Sequence, residues 1–287
     1  MTPTAPLPAA AVRPAPVRPV PAGGWRRTLV IGWRLGRLQL TEFTRNRSAL
    51  WFGLLFPVLL LVLLSTIFNE TIEGTHTSLA QYMTAGVLAI SAATAGFSNL
   101  AISLAMQRDS GRIKRFSAAP MSGSAFLLGQ FVRTAAIALA GTLILLVIGV
   151  VAYDIDLPTD PTRIAMFAFV WLTGVASCSL LGIAVSRLCR DGENAPAIVT
   201  PPFLVLQFIS GTFLDFSSEP GWLKAFASVF PLRWMALGFR SALLPDSFAA
   251  QETGGSWQRP MVVAVLLAWT VGGALLARAT FRWRESG

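Results

Sequence analysis

Apolar residues run through this chain in long blocks separated by short polar connections, and the blocks set its organisation. Residues 48–68, 82–106, 134–152, 163–186, 195–213 and 261–281 are predominantly apolar. At about 1.5 Å per helical residue, segments of this length suit a hydrocarbon core about 30 Å thick. Only helices satisfy their own backbone polar groups there, so the pattern predicts an all-α membrane protein with six transmembrane helices. Pro196, Pro201 and Pro202 predict irregular first turns for the fifth span, and residues 123–133 read as an amphipathic approach to the third. The long connection at 214–260 is not plainly hydrophilic. Its stretches 222–230 and 232–244 are helical in pattern but too short to span, which predicts re-entrant helices before the last span.

Ahead of the first span, residues 25–47 have a different period. Trp25, Leu29, Trp33, Leu40 and Phe43 share one arc of a helical wheel, and Arg26, Arg27, Arg34, Arg37 and Arg45 share the neighbouring one. Such a segment predicts a cytoplasmic interfacial helix, with its rings in the acyl boundary and its guanidiniums among phosphates; Trp25, Arg26, Arg27, Trp33 and Arg34 are the leading anchors. Residues 1–24 are Pro- and Ala-rich without an apolar core, and read as a disordered tail. The domain reading is thus a tail (1–24), an interfacial helix (25–47) and a six-helix transmembrane unit (48–287).

Composition agrees with a polytopic protein. Hydrophobic residues make up 54% and charged residues 13% of the chain, about half the charged fraction of soluble domains. The formal charge of +9 follows the membrane rather than a nucleic-acid groove, because 18 of the 23 Lys and Arg fall on the tail, the interfacial helix, the loop at 107–122 with Arg133, the turn at 187–190 and the C-terminus. Cationic loops stay inside, so both termini are expected in the cytoplasm of a multi-pass plasma-membrane protein, and no nucleic-acid partner is expected.

The loop at 107–122 is a basic island between two apolar blocks, with Arg108, Arg112, Lys114 and Arg115 close together. Its middle is helical in pattern and Pro120 is a stop, so it can present a rigid knob to a soluble partner. Candidate chemistry elsewhere is sparse. Cys178 and Cys189 would sit about 16 Å apart on one helix, too far for a disulfide. His76 stands alone, so neither a metal site nor a Ser/His/Asp set is expected. Neither Lys114 nor Lys224 follows a glycine, so no P-loop is present and the chain is expected to bind no cofactor and to be no enzyme by itself. The spans also lack Asp and Glu, which argues against an ion-coupled carrier. Thr84, Ser91, Thr94 and Ser98, with Asn99 at the edge, form a small-polar arc on the second span that can either pack helices or line a pathway. Gln207 and Ser210 add polar groups at depth on the fifth.

The order of these features resembles the permease subunits of ABC-2 type transporters. The resemblance is carried by residues 108–116 (RDSGRIKRF), by Ala119-Pro120-Met121-Ser122, by Ile209-Ser210-Gly211-Thr212-Phe213, by the Pro-Gly-Trp-Leu run at 220–223, by Pro231-Leu232 and by Phe239-Arg240. It covers roughly residues 25–284, and the Pro-rich tail resembles that of daunorubicin-resistance type drug-export permeases. Gln107 and Arg112 depart from the family loop, which often has Glu and Thr there. The resemblance implies a permease dimer, homodimeric or paired with a paralogue, and separate ABC ATPase subunits that use ATP and Mg. It also implies that Arg108, Asp109, Gly111, Arg112, Lys114 and Arg115 form the ATPase-coupling loop. The cargo is then an amphipathic drug-like compound, or alternatively a lipid or lipid-linked glycan. A non-transporting membrane scaffold is the other reading of such a bundle.

Overall fold

A computed structural model describes residues 24–67, 72, 77–119, 121–189, 191–213, 216 and 219–280, with the backbone alone at 48, 49 and 52. Residues 1–23 of the tail, Glu70, Glu73, His76, Pro120, Arg190 of the cationic turn and the C-terminal Arg282 and Arg284 lie outside those residues. The described residues form helices α1 (Trp25–Arg45), α2 (Arg47–Leu50), α3 (Phe56–Ile67), α4 (Leu79–Ala93), α5 (Leu100–Asp109), α6 (Arg112–Ala118), α7 (Gly123–Tyr153), α8 (Pro161–Val185), α9 (Ala195–Ile209), α10 (Gly221–Val229), α11 (Pro231–Leu243) and α12 (Arg259–Thr280). A π segment at Trp51–Leu55 joins α2 to α3, and a second at Thr94–Asn99 joins α4 to α5. Among the described residues, four helices are long and apolar enough to cross a membrane: Leu79–Asp109, Gly123–Tyr153, Pro161–Val185 and Arg259–Thr280. Gly53–Ile67 and Ala195–Ile209 are apolar but shorter.

Local sequence explains where the helices begin. Ser78 and Gln81 form a reciprocal capping box at the start of α4. Ser122 caps α7. Asp160 accepts from the Thr162 amide and Pro161 takes the first position of α8. Two expectations change. Helix α7 is continuous over 31 residues, with no break between an approach and a span. Helix α9 is regular from Ala195 onward despite its prolines. Pro196 sits where an amide has no intrahelical partner, while Pro201 and Pro202 face outward, away from the packed Val199, Phe203 and Gln207.

Helix α4 is the centre of the bundle, buried along nearly its whole length and contacted by α3, α7, α8 and α11. Every residue of α11 is buried as well, against α4, α8 and α12. Both helices before the last span are short, and α11 runs alongside α8, with Met235 against Gly174 midway along α8 and Leu244 at its start. Only α10 presents its aromatic face outward, with Trp222 and Phe226 exposed, whereas α11 is core. The turn between them is fixed to α12, where the Trp269 indole donates to the Val229 carbonyl at 2.6 Å and Phe230 stacks on Trp269.

The arginines that α11 carries into the core explain its position. Arg240 is fully buried; its Nε donates to Glu252 Oε1 at 2.5 Å and its Nη1 to the Gly211 carbonyl at 2.8 Å, with its guanidinium over the Tyr82 ring. Arg233 shares the same carboxylate at 3.6 Å and stacks on Phe216. One guanidinium thus ties α11 to α4, to the turn after α9 and to the segment at 252. Removing one partner of such a pair strands a buried charge. Arg240→Ala is therefore expected to destabilise the purified protein by about 3–5 kcal/mol, measured by thermal or denaturant unfolding in detergent; a loss below about 1 kcal/mol would contradict this role.

Asp246 does a similar job in a wetter place. It accepts from Arg163 at the start of α8 (2.8 Å), from Arg259 at the start of α12 (3.3 Å) and from the Trp257 indole (3.0 Å). The Arg163 hydrogen bond, foremost, holds its carboxyl below the usual carboxylate range. A lowered folded-state value means that the stabilisation is present above the unfolded-state value and disappears as pH falls through the folded one. Asp246→Asn should lower the melting temperature at neutral pH, and the gap to the unsubstituted protein should close as pH falls below about 4. A gap independent of pH would show that the charge is not what matters.

Candidate functional site

The loop at 107–122 lies at the bundle end where α5, α8 and α12 finish and α7 and α9 begin. Gly111 makes the turn between α5 and α6, with φ of +68° and its amide donating to the Arg108 carbonyl. A side chain at that φ is strained, which is why glycine suits the position. Helix α6 is then seated by its apolar residues. Ile113 is buried among Leu35 of α1, Leu100 and Leu104 of α5, Phe126 of α7 and Ile183 of α8, and Phe116 packs on Phe126 with ring centroids 5.7 Å apart.

This seating divides the loop's charged residues into two groups that the sequence did not distinguish. Arg108 turns inward and donates to the carbonyl (2.9 Å) and hydroxyl (3.3 Å) of Ser186, where a cation opposes the negative end of the α8 dipole. Arg112 reaches α1 and grips both oxygens of Glu42 at 2.9 and 3.0 Å. Asp109 is exposed beside the turn at Gly192. Lys114 and Arg115 are exposed, and among the described residues no ion pair holds either.

Behind the loop lies a buried polar layer. Gln130 of α7 donates to Gln107 Oε1 at 3.0 Å, Gln107 donates to Ser103 at 2.9 Å, and Arg133 donates to the same Ser103 hydroxyl at 3.0 Å. Gln107 is thus a structural link between α5 and α7, not a surface contact. Nothing in the local pattern marks it, because its partner Gln130 is 23 residues away.

Helix α1 forms as expected, but its packed face is a different one. Gly32, Leu35, Gly36 and Gln39 are buried against α7. A methyl group on Gly32 would fall 2.7 Å from Leu128, and one on Gly36 2.7 Å from Val132, so the two glycines let the helices approach closely. Trp25, Leu29 and Trp33 are exposed, as are Arg26, Arg27 and Arg34. Leu40 and Phe43, predicted on the same arc, pack instead into the main core.

The small-polar arc of the second span lies largely in helix contacts. Thr84 is buried facing Gly149 of α7, and its hydroxyl donates to the Ala80 carbonyl at 2.8 Å. Ser91 is buried facing Gly141. Thr94, Ser98 and Asn99 fall within the π segment, which shifts the register of the arc; Ser98 is buried and Thr94 and Asn99 half-buried. Ser210 donates to Leu206, and the Gln207 carbonyl accepts from Thr212. The Arg233–Arg240–Glu252 cluster at the opposite end was not foreseen as a unit. Phe239-Arg240 was visible as a motif, but its acidic partner was not. Nearby, a cavity of about 650 Å³ opens between the start of α4, the connection from α7 to α8 and the end of α11, lined by Gln81, Asp156, Asp160, Arg163 and Leu244 among others. Hydrogen bonds from Thr162 hold the exposed Asp160 carboxyl below its ordinary range.

Comparison with known proteins agrees with this architecture. The chain is 24% identical over 240 residues to the probable doxorubicin resistance ABC transporter permease protein DrrC of Mycobacterium tuberculosis, in strains CDC 1551 and H37Rv alike, and the match covers 81% of this chain and 80% of the relative. Residues 32–244, from the glycine that seats α1 to the end of α11, match the ABC-2 type transporter family. That match takes in most of the chain: the protein belongs to the ABC-2 type transporter family and is a multi-pass membrane protein of the permease kind.

Proposed function

We propose that this chain is the membrane subunit of an ATP-driven exporter, working as a homodimer or with a paralogue and powered by separate ABC ATPase subunits that bind ATP and Mg. One observation carries the reading. Helix α6 is held on an apolar seat, Arg108 before it and Arg112 at its first position are used for anchoring, and Lys114 and Arg115 are left projecting at one end of the bundle. A ligand shifts a conformational equilibrium only through differential contacts, and a rigid knob packed against α1, α5, α7 and α8 is suited to deliver them. In this reading α2–α3 and α9 complete six crossings with the four long helices. The loop and both termini face the cytoplasm, α1 (within 25–47) lies at the inner interface, and 48–287 form the transmembrane unit. The cargo is an amphipathic compound of the drug type, in keeping with the relative named for doxorubicin resistance.

Three experiments test this. Gly111→Pro keeps every charge but cannot adopt a positive φ or donate the amide bond to Arg108, so it should abolish permease-stimulated ATP hydrolysis. Lys114→Glu with Arg115→Glu should leave the melting temperature nearly unchanged and yet lose co-purification of the ATPase. Retention of both stimulation and co-purification by these variants would remove α6 as the coupling element. For cargo, cells carrying the permease with its ATPase should accumulate a fluorescent anthracycline several-fold less than cells with a nucleotide-dead ATPase. Equal accumulation would remove the drug assignment and leave the ATPase reading standing.

A further inference from the structure

Helix α1 is held at a fixed rotation by two contacts. The Gly32–Gly36 line packs tightly into α7, and Glu42 pairs through both oxygens with Arg112 of α6. At about 100° per residue, this rotation places Leu29, Trp33 and Leu40 on one flank of the α7 contact and Glu42 on the other. Arg26, Arg27, Arg34, Arg37 and Arg45 then face away from α7, and all five are exposed. Glu42, the single acid of the helix, is already taken by Arg112, so it offsets none of them. Next to the basic side stand the exposed Leu29 and Trp33, and Arg26 lies over the Trp25 ring at 5.7 Å. A row of guanidiniums beside exposed rings and leucine matches a charged surface with an apolar layer beneath it. The length of α7 gives α1 a matching depth. Its 31 residues exceed a hydrocarbon core by about ten, and α1 docks on Leu128–Val132, near the end where that excess can emerge.

We infer that the basic side of α1 binds anionic phospholipid headgroups and, through the Glu42–Arg112 pair, sets the position of α6, so that coupling to the ATPase depends on anionic lipid. This rests on the ATPase-driven reading above and adds the lipid as a regulator. Headgroup phosphates draw α1 to the bilayer surface, and α1 is the element that α6 grips through Arg112. Lipid charge thereby reaches the coupling helix through the Glu42–Arg112 pair, the charged contact beside the apolar one of Leu35 with Ile113.

The test uses the permease with its ATPase in nanodiscs of phosphatidylcholine alone, or with about one-third phosphatidylglycerol. Permease-stimulated hydrolysis should be roughly threefold higher with phosphatidylglycerol. Arg34→Gln with Arg37→Gln should lose most of that increase. Glu42→Gln keeps every arginine, so it should retain phosphatidylglycerol, read by native mass spectrometry, while losing the increase. Equal hydrolysis in both lipids would overturn the proposal, as would a full lipid response in Glu42→Gln. Loss of ATPase co-purification in detergent by the double arginine variant, with its lipid response intact, would assign this side of α1 to the ATPase and overturn it too. Hydrolysis that never responds to the permease in either lipid would instead sink the ATPase reading from which the proposal starts.

Discussion

A polar group inside an apolar bundle has no water to turn to, and that constraint decides where this protein can do anything. Backbone groups satisfy it by staying helical. Many polar side chains satisfy it by bonding a carbonyl of their own helix, as Thr84 and Ser179 do, and the longer ones collect where several helix ends converge. One collection joins Gln107, Gln130, Ser103 and Arg133, with Arg108 on Ser186 and Arg112 on Glu42 nearby. The other joins Arg233, Arg240, Glu252 and Tyr82 at the opposite end. Between them the helices meet mainly through small residues, as where Gly86 faces the Thr212 backbone and Gly174 faces Met235.

The two ends are built differently, and the difference suits the proposed direction of control. At the α6 end, the ion pair between Arg112 and Glu42 is partly exposed. An exposed pair contributes little stability, about 0–1 kcal/mol, and so can be made and broken cheaply. At the α11 end the pair is sealed, and breaking it strands a charge. A permease driven from one side needs an element that can shift there, and a rigid wall at the far side against which the shift is transmitted.

Much of this was legible in the sequence because it depends on short-range periodicity. The blocks of α4–α5, α7, α8 and α12, the amphipathic α1, the helical middle of 107–122 and two short helices before the last span all follow from residue spacing. What was not legible depends on partners distant in the chain. Glu42 and Arg112 are 70 residues apart, and nothing local pairs them. Gly32 and Gly36 have no side chain to mark them on a helical wheel, and their role depends on α7 packed against them. Helix α11 reads from its length as a re-entrant half-helix, but its spacing does not show that its arginines are sheltered by α4, α8 and Glu252. The π segment at Thr94–Asn99 broke an arc that a regular helical wheel had drawn as continuous.

In the function we propose, α6 is the surface through which an ATPase drives this bundle, with Lys114 and Arg115 at the contact. Site-specific photocross-linking tests it most directly. A benzophenone amino acid at position 115 of the assembled complex should yield a permease–ATPase adduct, and the same group at position 157, at the opposite end of the bundle, should yield none. Failure to form the adduct from positions 114 and 115 in a complex that hydrolyses ATP, or an equal yield from 157, would contradict the account.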